Sequence, residues 1–298
     1  MVWSCLVSIL PGMAQTEKLT DYVNPFVGTD GYGNVYPGAQ IPFGGIQISP
    51  DTDSRFYDAA SGYKYNHLTL MGFSLTHLSG TGIPDLGDFL FIPGTGEMKL
   101  EPGTHEDPDQ GYRSRYSHDK EWASPNYYAV ELADYGVKAE MTSGVRSGMF
   151  RFTYPESDNA FIMIDMNHTL WQSCEWSNLR MINDSTITGY KLVKGWGPER
   201  HVYFTATFSK KLTGLRFVQD KKPVIYNTSR FRSSYEAWGK NLMACISFDT
   251  KAGEEVTVKT AISAVSTDGA RNNMKELDGL TFNELRAKGE ALWEKELG

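Results

Sequence analysis

Residues 126–142 have the sequence NYYAVELADYGVKAEMT. Apolar and polar side chains alternate over 126–132 and again over 135–142, and a turn separates the two halves. Alternation with a period of two puts every second side chain on the same face of a β-strand. The stretch therefore predicts an antiparallel β-hairpin.

Similar segments recur along much of the chain. Residues 89–93, FLFIP, form a continuous apolar run that ends at proline, which predicts a strand buried on both faces. Alternating segments occupy 148–154, 160–166, 186–192, 202–208, 241–248 and 256–264, and a shorter one begins at Ile46. About ten such segments, separated by Gly, Pro, Asn and Asp, predict a mainly β fold. We expect a large antiparallel β-sandwich over residues 19–267 rather than βαβ units.

The pattern changes after Thr267. Residues 268–277 predict one short helix, and Thr281 with Glu284 has the spacing of a capping box at the start of a second. We therefore expect a C-terminal α-helical segment over residues 268–298. This segment either packs back on the sandwich or leads into a further domain.

Composition narrows the range of functions. The 298 residues include 29 Lys and Arg against 36 Asp and Glu, a net charge of −7 without any basic run. Nucleic acid is therefore not expected as a partner. Aromatic residues make up 13% of the chain, which suits both β-sheets and sites that stack sugar rings. Beyond the N-terminus, no apolar run approaches the ~20 residues that cross a bilayer.

The first fifteen residues form a segment of their own. Residues 2–10 are apolar and 11–15 are mostly small, which resembles the end of a secretory signal peptide without its charged start. We expect residues 1–15 to be a signal-peptide remnant, the alternative being a short buried strand. The remaining Cys174 and Cys245 are too few for a disulfide framework, so we expect two free, buried thiols.

Glycine, proline and aromatic residues are concentrated in residues 24–96. The three densest motifs are NPFVGTDG at 24–31, GNVYPGAQIPFG at 33–44 and GFSLTHLSGTG at 72–82. Glycine allows close backbone approach and proline stiffens a turn. The motifs predict ordered loops that line a polar, sugar-binding pocket, the alternative being a glycine-rich corner without a ligand.

These motifs, with SPDT at 49–52 and DLGD at 85–88, closely resemble glycoside hydrolase family 92, and the resemblance runs from about residue 19 to the end of the chain. The family consists of secreted or periplasmic exo-acting α-mannosidases. The resemblance implies an N-terminal β-sandwich joined by helices to an (α/α)6 barrel. It also implies hydrolysis with inversion, dependence on a bound calcium ion and a mannose-containing glycan as substrate, with α-1,2 linkages the expected target.

The resemblance also implies a division of the active site. Both catalytic carboxylates belong to the barrel, so we expect none in this chain, whose loops would complete the sugar pocket. His77 and Ser79 are suited to bonding vicinal hydroxyls, and His77→Ala is expected to weaken turnover without disturbing the fold. We expect the sugar-contacting residues to be Tyr36, Phe43, Gly44, His77, Ser79, Gly80, Thr81, Gly82 and Asp85. Tyr36, Phe43, His77 and Asp85 should cluster on the side of the C-terminal helix.

Some features leave alternatives open. Asp51 with Asp53, and Asp85 with Asp88, have the spacing of catalytic pairs, but roles in loop capping and hydrogen bonding are favoured. Residues 54–63 carry Phe56 and Tyr57 but no tryptophan, which the family often has shortly before the Ser-Gly-Tyr segment, so the linkage preference is left open. No zinc or EF-hand motif is present, so no metal site is predicted in this chain.

A stand-alone carbohydrate-binding or structural sandwich remains the second hypothesis. For the loop tryptophans, core packing is favoured over sugar stacking: Trp171, Trp176 and Trp196.

Overall fold

The computed structural model describes residues 17–55, 57–224 and 236–298. Two α-helices follow the strands, α1 at Thr267–Met274 and α2 at Phe282–Leu297. The strands of these residues are β1 Ser49–Asp51, β2 Thr69–Leu70, β3 Gly72–Ser74, β4 Leu90–Thr95, β5 Ser114–Arg115, β6 Glu121–Ser124, β7 Tyr127–Leu132, β8 Val137–Ser143, β9 Ser147–Tyr154, β10 Ser157–Asp165, β11 Ser173–Asn183, β12 Thr186–Lys194, β13 Arg200–Phe208, β14 Gly214–Gln219, β15 Lys222–Pro223, β16 Glu236–Gly239, β17 Leu242–Thr250 and β18 Glu254–Ser263.

The strands form two large antiparallel sheets. The seven-stranded sheet has the order β1-β3-β4-β10-β17-β14-β15, and the nine-stranded sheet has the order β16-β11-β12-β13-β18-β9-β8-β7-β6. A small third sheet pairs β2 with β5. The mainly β sandwich predicted from the alternation is therefore confirmed, and so is the hairpin of 126–142, in which β7 pairs with β8.

The main core lies between the two large sheets. In β8, Val137, Ala139 and Met141 are fully buried in this core, while Lys138 between them reaches Glu140 on the other face. Aromatic rings from both sheets meet here, with the centroids of Phe91 and Phe150 5.0 Å apart. Rings at this separation add packing energy beyond the area they bury. The period-two pattern of the sequence is thus explained by a single core between two sheets.

Each large sheet is also covered on part of its outer face. On the seven-stranded sheet, Leu90 and Ile92 of β4 belong to a second apolar cluster that includes Tyr112 and the partly buried Leu100. Strand β4 is therefore buried on both faces, as the run FLFIP predicted. The strand predicted from Ile46 is shorter than expected, because regular pairing begins only at Ser49.

Helix α2 packs against the outer face of the nine-stranded sheet. Phe282 and Leu285 are buried with Tyr127 and Met149 of that sheet in a third cluster. The predicted capping box is present: the Thr281 hydroxyl accepts from the backbone N–H of Glu284, whose carboxylate accepts from Thr281. The helix therefore folds back on the sandwich, which was one of the two outcomes left open.

The end of α2 also contacts the beginning of the described chain. The Glu294 carboxylate accepts from the backbone N–H groups of Leu19 and Thr20, at 3.0 and 2.7 Å. Nearby, the Trp293 indole donates to the carbonyl of Gln40, at 2.7 Å. The N-terminal motif loops and the C-terminal helix are consequently fixed to each other.

Three further expectations concern single features. Cys174 and Cys245 are free, buried thiols, as predicted, and burial raises the pKa of both. Among the described residues, no helix is both long and apolar enough to cross a membrane. The signal-peptide remnant predicted at residues 1–15 lies outside the residues described.

The packing of α2 can be tested with two leucines on the same helix. Leu285 is 3% exposed and Leu292 is 42% exposed. Leu285→Ala should lower the free energy of unfolding by about 2–5 kcal/mol, because it removes apolar contacts and leaves a cavity. Leu292→Ala is the matched control and should cost far less. Equal urea denaturation midpoints for the two variants would show that α2 is not docked.

Candidate functional site

The motif loops contact one another. The Gly80 N–H donates to the carbonyl of Asn34 at 2.7 Å, and the Ser61 hydroxyl donates to the carbonyl of Val35 at 2.9 Å. Gly62, at φ 88°, passes so close to Asp51 that a Cβ would lie 2.1 Å from its Oδ1 atom. Only glycine tolerates both this backbone conformation and this approach. The motifs separated in sequence thus form a single group of loops.

His77 lies inside the fold, beneath these loops, rather than on a pocket wall. Its side chain is 0% exposed. Its Nε2 atom lies 2.7 Å from Asp51 Oδ1, and its Nδ1 atom lies 2.8 Å from the carbonyl oxygen of Gln47. Both ring nitrogens are therefore engaged with buried oxygens. The expected direct contact between His77 and a sugar is corrected: the ring already bonds a buried carboxylate and a backbone carbonyl.

Asp51 joins two histidines from different loops. His168 Nε2 lies 2.8 Å from Asp51 Oδ2, while the backbone carbonyl of His168 accepts from Lys191 Nζ at 2.6 Å. Lys191 is fully buried and lies 3.1 Å from Asp88, whose carboxylate also bonds Arg200. We call this set the buried polar chain; its members are Gln47, His77, Asp51, His168, Lys191, Asp88 and Arg200.

The pKa values of the two carboxyl groups in the buried polar chain follow from their partners. Burial opposes the charge of Asp51, but the charge of His77 and the hydrogen bonds from both histidines outweigh it. For Asp88, Lys191 and Arg200 outweigh burial in the same way. The pKa of each carboxyl therefore lies well below its usual range, and both are ionised at neutral pH.

The tip of the 77–88 loop is more accessible than its base. Ser79, Gly80 and Gly82 are exposed and Thr81 is half-buried, whereas Asp85 is buried and accepts from the N–H of Leu86. The tip therefore presents backbone groups and the Ser79 hydroxyl to solvent. Asp85 shapes the base of the loop instead.

The predicted grouping of Tyr36, Phe43, His77 and Asp85 is found in part. The rings of Tyr36 and His77 are 5.1 Å apart, and Tyr36 bonds Gln40, which also receives Trp293 of α2. Phe43 is 90% exposed at φ 58°, and its loop contacts the 144–146 turn through Gly45. The Gly44 N–H closes the 41–44 turn, which contains Phe43, by donating to the carbonyl of Ile41. The described contacts join Tyr36 to His77 and to α2, but they do not bring Phe43 or Asp85 to that pair.

The carboxylates of the motif loops are not arranged as a catalytic pair. Asp51 and Asp88 are fully buried and ion-paired, and the Asp53 side chain is also 0% exposed. Asp53 lies 3.1 Å from His105 Nε2 and 3.4 Å from Arg55. A catalytic carboxyl must reach the substrate or its attacking water. These residues hold the loops, as the sequence interpretation favoured.

The described residues do not fit a calcium site. No group of three or more His, Cys, Asp or Glu side chains among them converges in a way that could hold a metal ion. Calcium takes six to eight oxygen ligands, including carboxylates. The buried carboxylates here are instead neutralised by histidine, lysine and arginine.

A large cleft borders the motif loops and was not foreseen. It has a volume of about 910 Å³ and includes Arg55, Asp165, His168 and Trp171 in its wall. Trp171 is 61% exposed, and its ring meets that of Tyr57 edge to face at 6.2 Å. The core packing favoured for the loop tryptophans is wrong, since all three are exposed. Trp176 lies in β11 rather than in a loop.

The chain matches the model of the glycosyl hydrolase family 92 N-terminal domain over residues 22–263. It therefore belongs to this family, as its motifs indicated. The match covers both sheets and all the motif loops.

Solved structures and a curated relative agree with this assignment. A GH92 family glycosyl hydrolase designated ccman5 is 27% identical with a TM-score of 0.78, over 93% of this chain and 36% of that one. A GH92 inverting mannosidase from Bacteroides thetaiotaomicron, 24% identical, shares the fold with a TM-score of 0.77, over 94% of this chain and 36% of that one. An uncharacterized secreted glycosidase from Arthroderma benhamiae is 26% identical over 304 residues, 93% of this chain and 38% of that protein. The chain thus spans little more than a third of each relative.

The revised position of His77 changes the expected effect of its mutation. His77→Ala removes one of the two histidine partners of Asp51 and should lower the free energy of unfolding by about 3–5 kcal/mol, because an ionised, fully buried carboxylate loses a partner. His201→Ala, at an exposed histidine bonded to Tyr190, is the control and should have little effect. Denaturant unfolding would measure both. An unchanged midpoint for His77→Ala would contradict the buried ion pair.

The buried polar chain also predicts how the free energy of unfolding falls at acid pH. Because the folded pKa of Asp88 is lowered from 3.8, the unfolded chain binds more protons below about pH 5. The stability that Asp88 contributes is therefore fully present above the pKa of Asp88 in the unfolded chain. It is lost as the pH falls toward the pKa of Asp88 in the folded protein. Asp88→Asn should reduce stability at pH 7 and flatten the decline between pH 5 and pH 3. Asp268→Asn, at an exposed carboxylate, should keep the wild-type decline.

Proposed function

We propose that this chain is the N-terminal sandwich of an inverting exo-α-mannosidase and that its motif loops complete the pocket for the terminal mannose. The observation that carries the proposal is the joined group of motif loops, with a rigid buried base and an exposed Ser79–Gly82 tip. Membership of family 92 and similarity to an inverting mannosidase support it.

The sugar contacts are assigned to the loop tip. The Ser79 hydroxyl and the backbone N–H of Gly82 are suited to vicinal hydroxyls, since both residues are exposed, while the Gly80 N–H holds the tip to Asn34. Tyr36 supplies an aromatic ring that packs against His77. His77, which is buried at the base of the loop, orients the loop. Phe43, almost fully exposed beside Gly44, is assigned to contact with a further domain rather than with the sugar.

The catalytic acid and base are assigned to a part of the enzyme beyond this chain. Inversion needs two carboxyl groups about 6.5–9.5 Å apart with space for a water molecule between them. The buried loop carboxylates are engaged by cations, and the chain spans only 36% of the solved relatives' length. We assign a bound calcium ion to that same part, in an (α/α)6 barrel.

The substrate is proposed to be a mannose-terminated glycan, such as an N-glycan, with α-1,2 linkages preferred, and the site of action to be outside the cytoplasm, either secreted or periplasmic. The similarity to a secreted glycosidase supports this location. Comparing turnover of α-1,2-, α-1,3- and α-1,6-mannobiose by the complete enzyme would settle the linkage.

A stand-alone carbohydrate-binding sandwich is the second candidate. It is favoured by α2, which covers part of the outer sheet and is tied to residues near Leu19 without help from another domain. The two candidates differ in one respect: only the first requires a catalytic barrel in the same polypeptide or complex.

Purified chain should not hydrolyse 4-nitrophenyl α-mannoside above the rate without protein. General acid–base catalysis contributes about 10²–10⁴-fold, and Asp51, Asp53, Asp85 and Asp88 of the motif loops are all buried rather than accessible as a pair. The assay should compare wild type with Asp85→Asn and Asp88→Asn, with folding checked by circular dichroism. Turnover by wild type that is lost in a folded aspartate variant would reverse the assignment of acid and base.

A further inference from the structure

The cleft beside Trp171 has the size and wall chemistry of a ligand site. Its volume of about 910 Å³ lies within the usual range of roughly 300–1,000 Å³ for small-molecule pockets. Its wall combines the apolar surfaces of Met71, Tyr112 and Met243 with polar side chains. It opens next to the motif loops, because Gln172 in its wall donates to the carbonyl of Pro84 at 2.7 Å.

The charges in the cleft indicate which class of ligand it suits. Apart from His168, which bonds the buried Asp51, three side chains in the wall are basic and three are acidic, so their formal charges cancel. A phosphate or a metal ion would favour an excess of one sign. Balanced charges beside amide side chains are suited to a neutral ligand rich in hydroxyl groups. The charged members of the wall are Arg55, Lys221, Lys240, Glu101, Asp165 and Asp220.

Trp171 is held in an unfavourable conformation that keeps its ring in solvent. Its φ is 68°, in the left-handed region that a bulky residue rarely adopts. Hydrogen bonds on both sides fix this turn: the Leu170 N–H donates to Leu86 at 2.9 Å, and the Thr169 hydroxyl donates to Gln172 at 2.8 Å. Strain of this kind persists where surrounding contacts enforce it and is concentrated at functional sites.

Tyr57 connects Trp171 to the loop tip. Its ring stands perpendicular to that of Trp171, and its hydroxyl lies 3.8 Å from the position of a Cβ on Gly82. Both rings are more than half exposed. Two perpendicular aromatic faces between the loop tip and the cleft form a corner in which a pyranose ring can stack on one face and contact the edge of the other.

We propose that the cleft binds the sugar units next to the terminal mannose, with Trp171 stacking on one of them. This proposal rests on the proposed function, since it places the remainder of the glycan beyond the loop tip. The cleft would therefore recognise a neutral oligosaccharide and favour extended glycans over single sugars. Polar side chains of the wall would bond its hydroxyl groups, among them the exposed Asn167 and Asn241.

The test is calorimetric titration of the chain with α-mannotriose and with methyl α-mannoside. Trp171→Ala should weaken mannotriose binding about tenfold, equivalent to about 1.4 kcal/mol, while Trp171→Phe should retain most of the affinity. Trp122→Ala, at a 45%-exposed tryptophan on β6, is the matched control and should bind like wild type. Binding of methyl α-mannoside should not depend on Trp171.

The outcomes separate this proposal from the one on which it rests. Mannotriose binding that depends on Trp171, without any binding of methyl α-mannoside, would support the cleft and argue against a terminal-sugar pocket in this chain. Equal mannotriose affinity of folded wild type and Trp171→Ala would overturn the cleft proposal. Absence of mannotriose binding to folded wild type would overturn it as well, whatever the result with methyl α-mannoside.

Discussion

The fully buried carboxylate of Asp51 is the constraint on which the rest of the site depends. It belongs to the first strand of the seven-stranded sheet and accepts from His77 and His168, which follow β3 and β10. An ionised carboxylate without partners would be far too costly at this depth. Both histidines therefore stabilise Asp51 in its buried position, and their loops are held together as a consequence.

The buried polar chain extends this constraint to the other sheet. Lys191 lies on β12 of the nine-stranded sheet and links the backbone of His168 to Asp88, just before β4. A buried ion pair adds little net stability, but loss of one partner is expensive. The buried polar chain thus fixes both the alignment of the two sheets and the base of the 77–88 loop. It also anchors the segment after His168, and Trp171 lies only three residues further on. Preorganised loops of this kind lose less entropy when a ligand binds.

The sequence allowed the sheets and helices to be predicted because their signals are local. Period-two alternation specifies a strand, and Thr281 with Glu284 specifies the start of α2. The buried polar chain depends on tertiary contacts over long sequence distances, such as that between Asp51 and His168, so no local pattern reveals it. The sequence did contain one indication of a buried ion pair. Lys191 shares its face of β12 with Ile187 and Val193, and a lysine at such a core position requires a buried partner. The exposure of Trp171 could not be predicted from a local pattern either, since it follows from a left-handed turn held by another loop.

The electrostatics of the loops bear on the proposed assignment of the catalytic acid and base to a part of the enzyme beyond this chain. A general acid must keep its proton near neutral pH, so a glycosidase raises the pKa of that carboxyl group. In Asp51, Asp53 and Asp88 the pKa is lowered instead, because histidine, lysine or arginine partners outweigh burial. Such carboxylates cannot protonate a leaving oxygen, but their fixed charges hold the surrounding loops in position. The same partners that stabilise the loops therefore make their acids unsuitable for catalysis. Under the proposed function, a sandwich built in this way would bind and orient a sugar, while the proton transfers require carboxyl groups in a different environment.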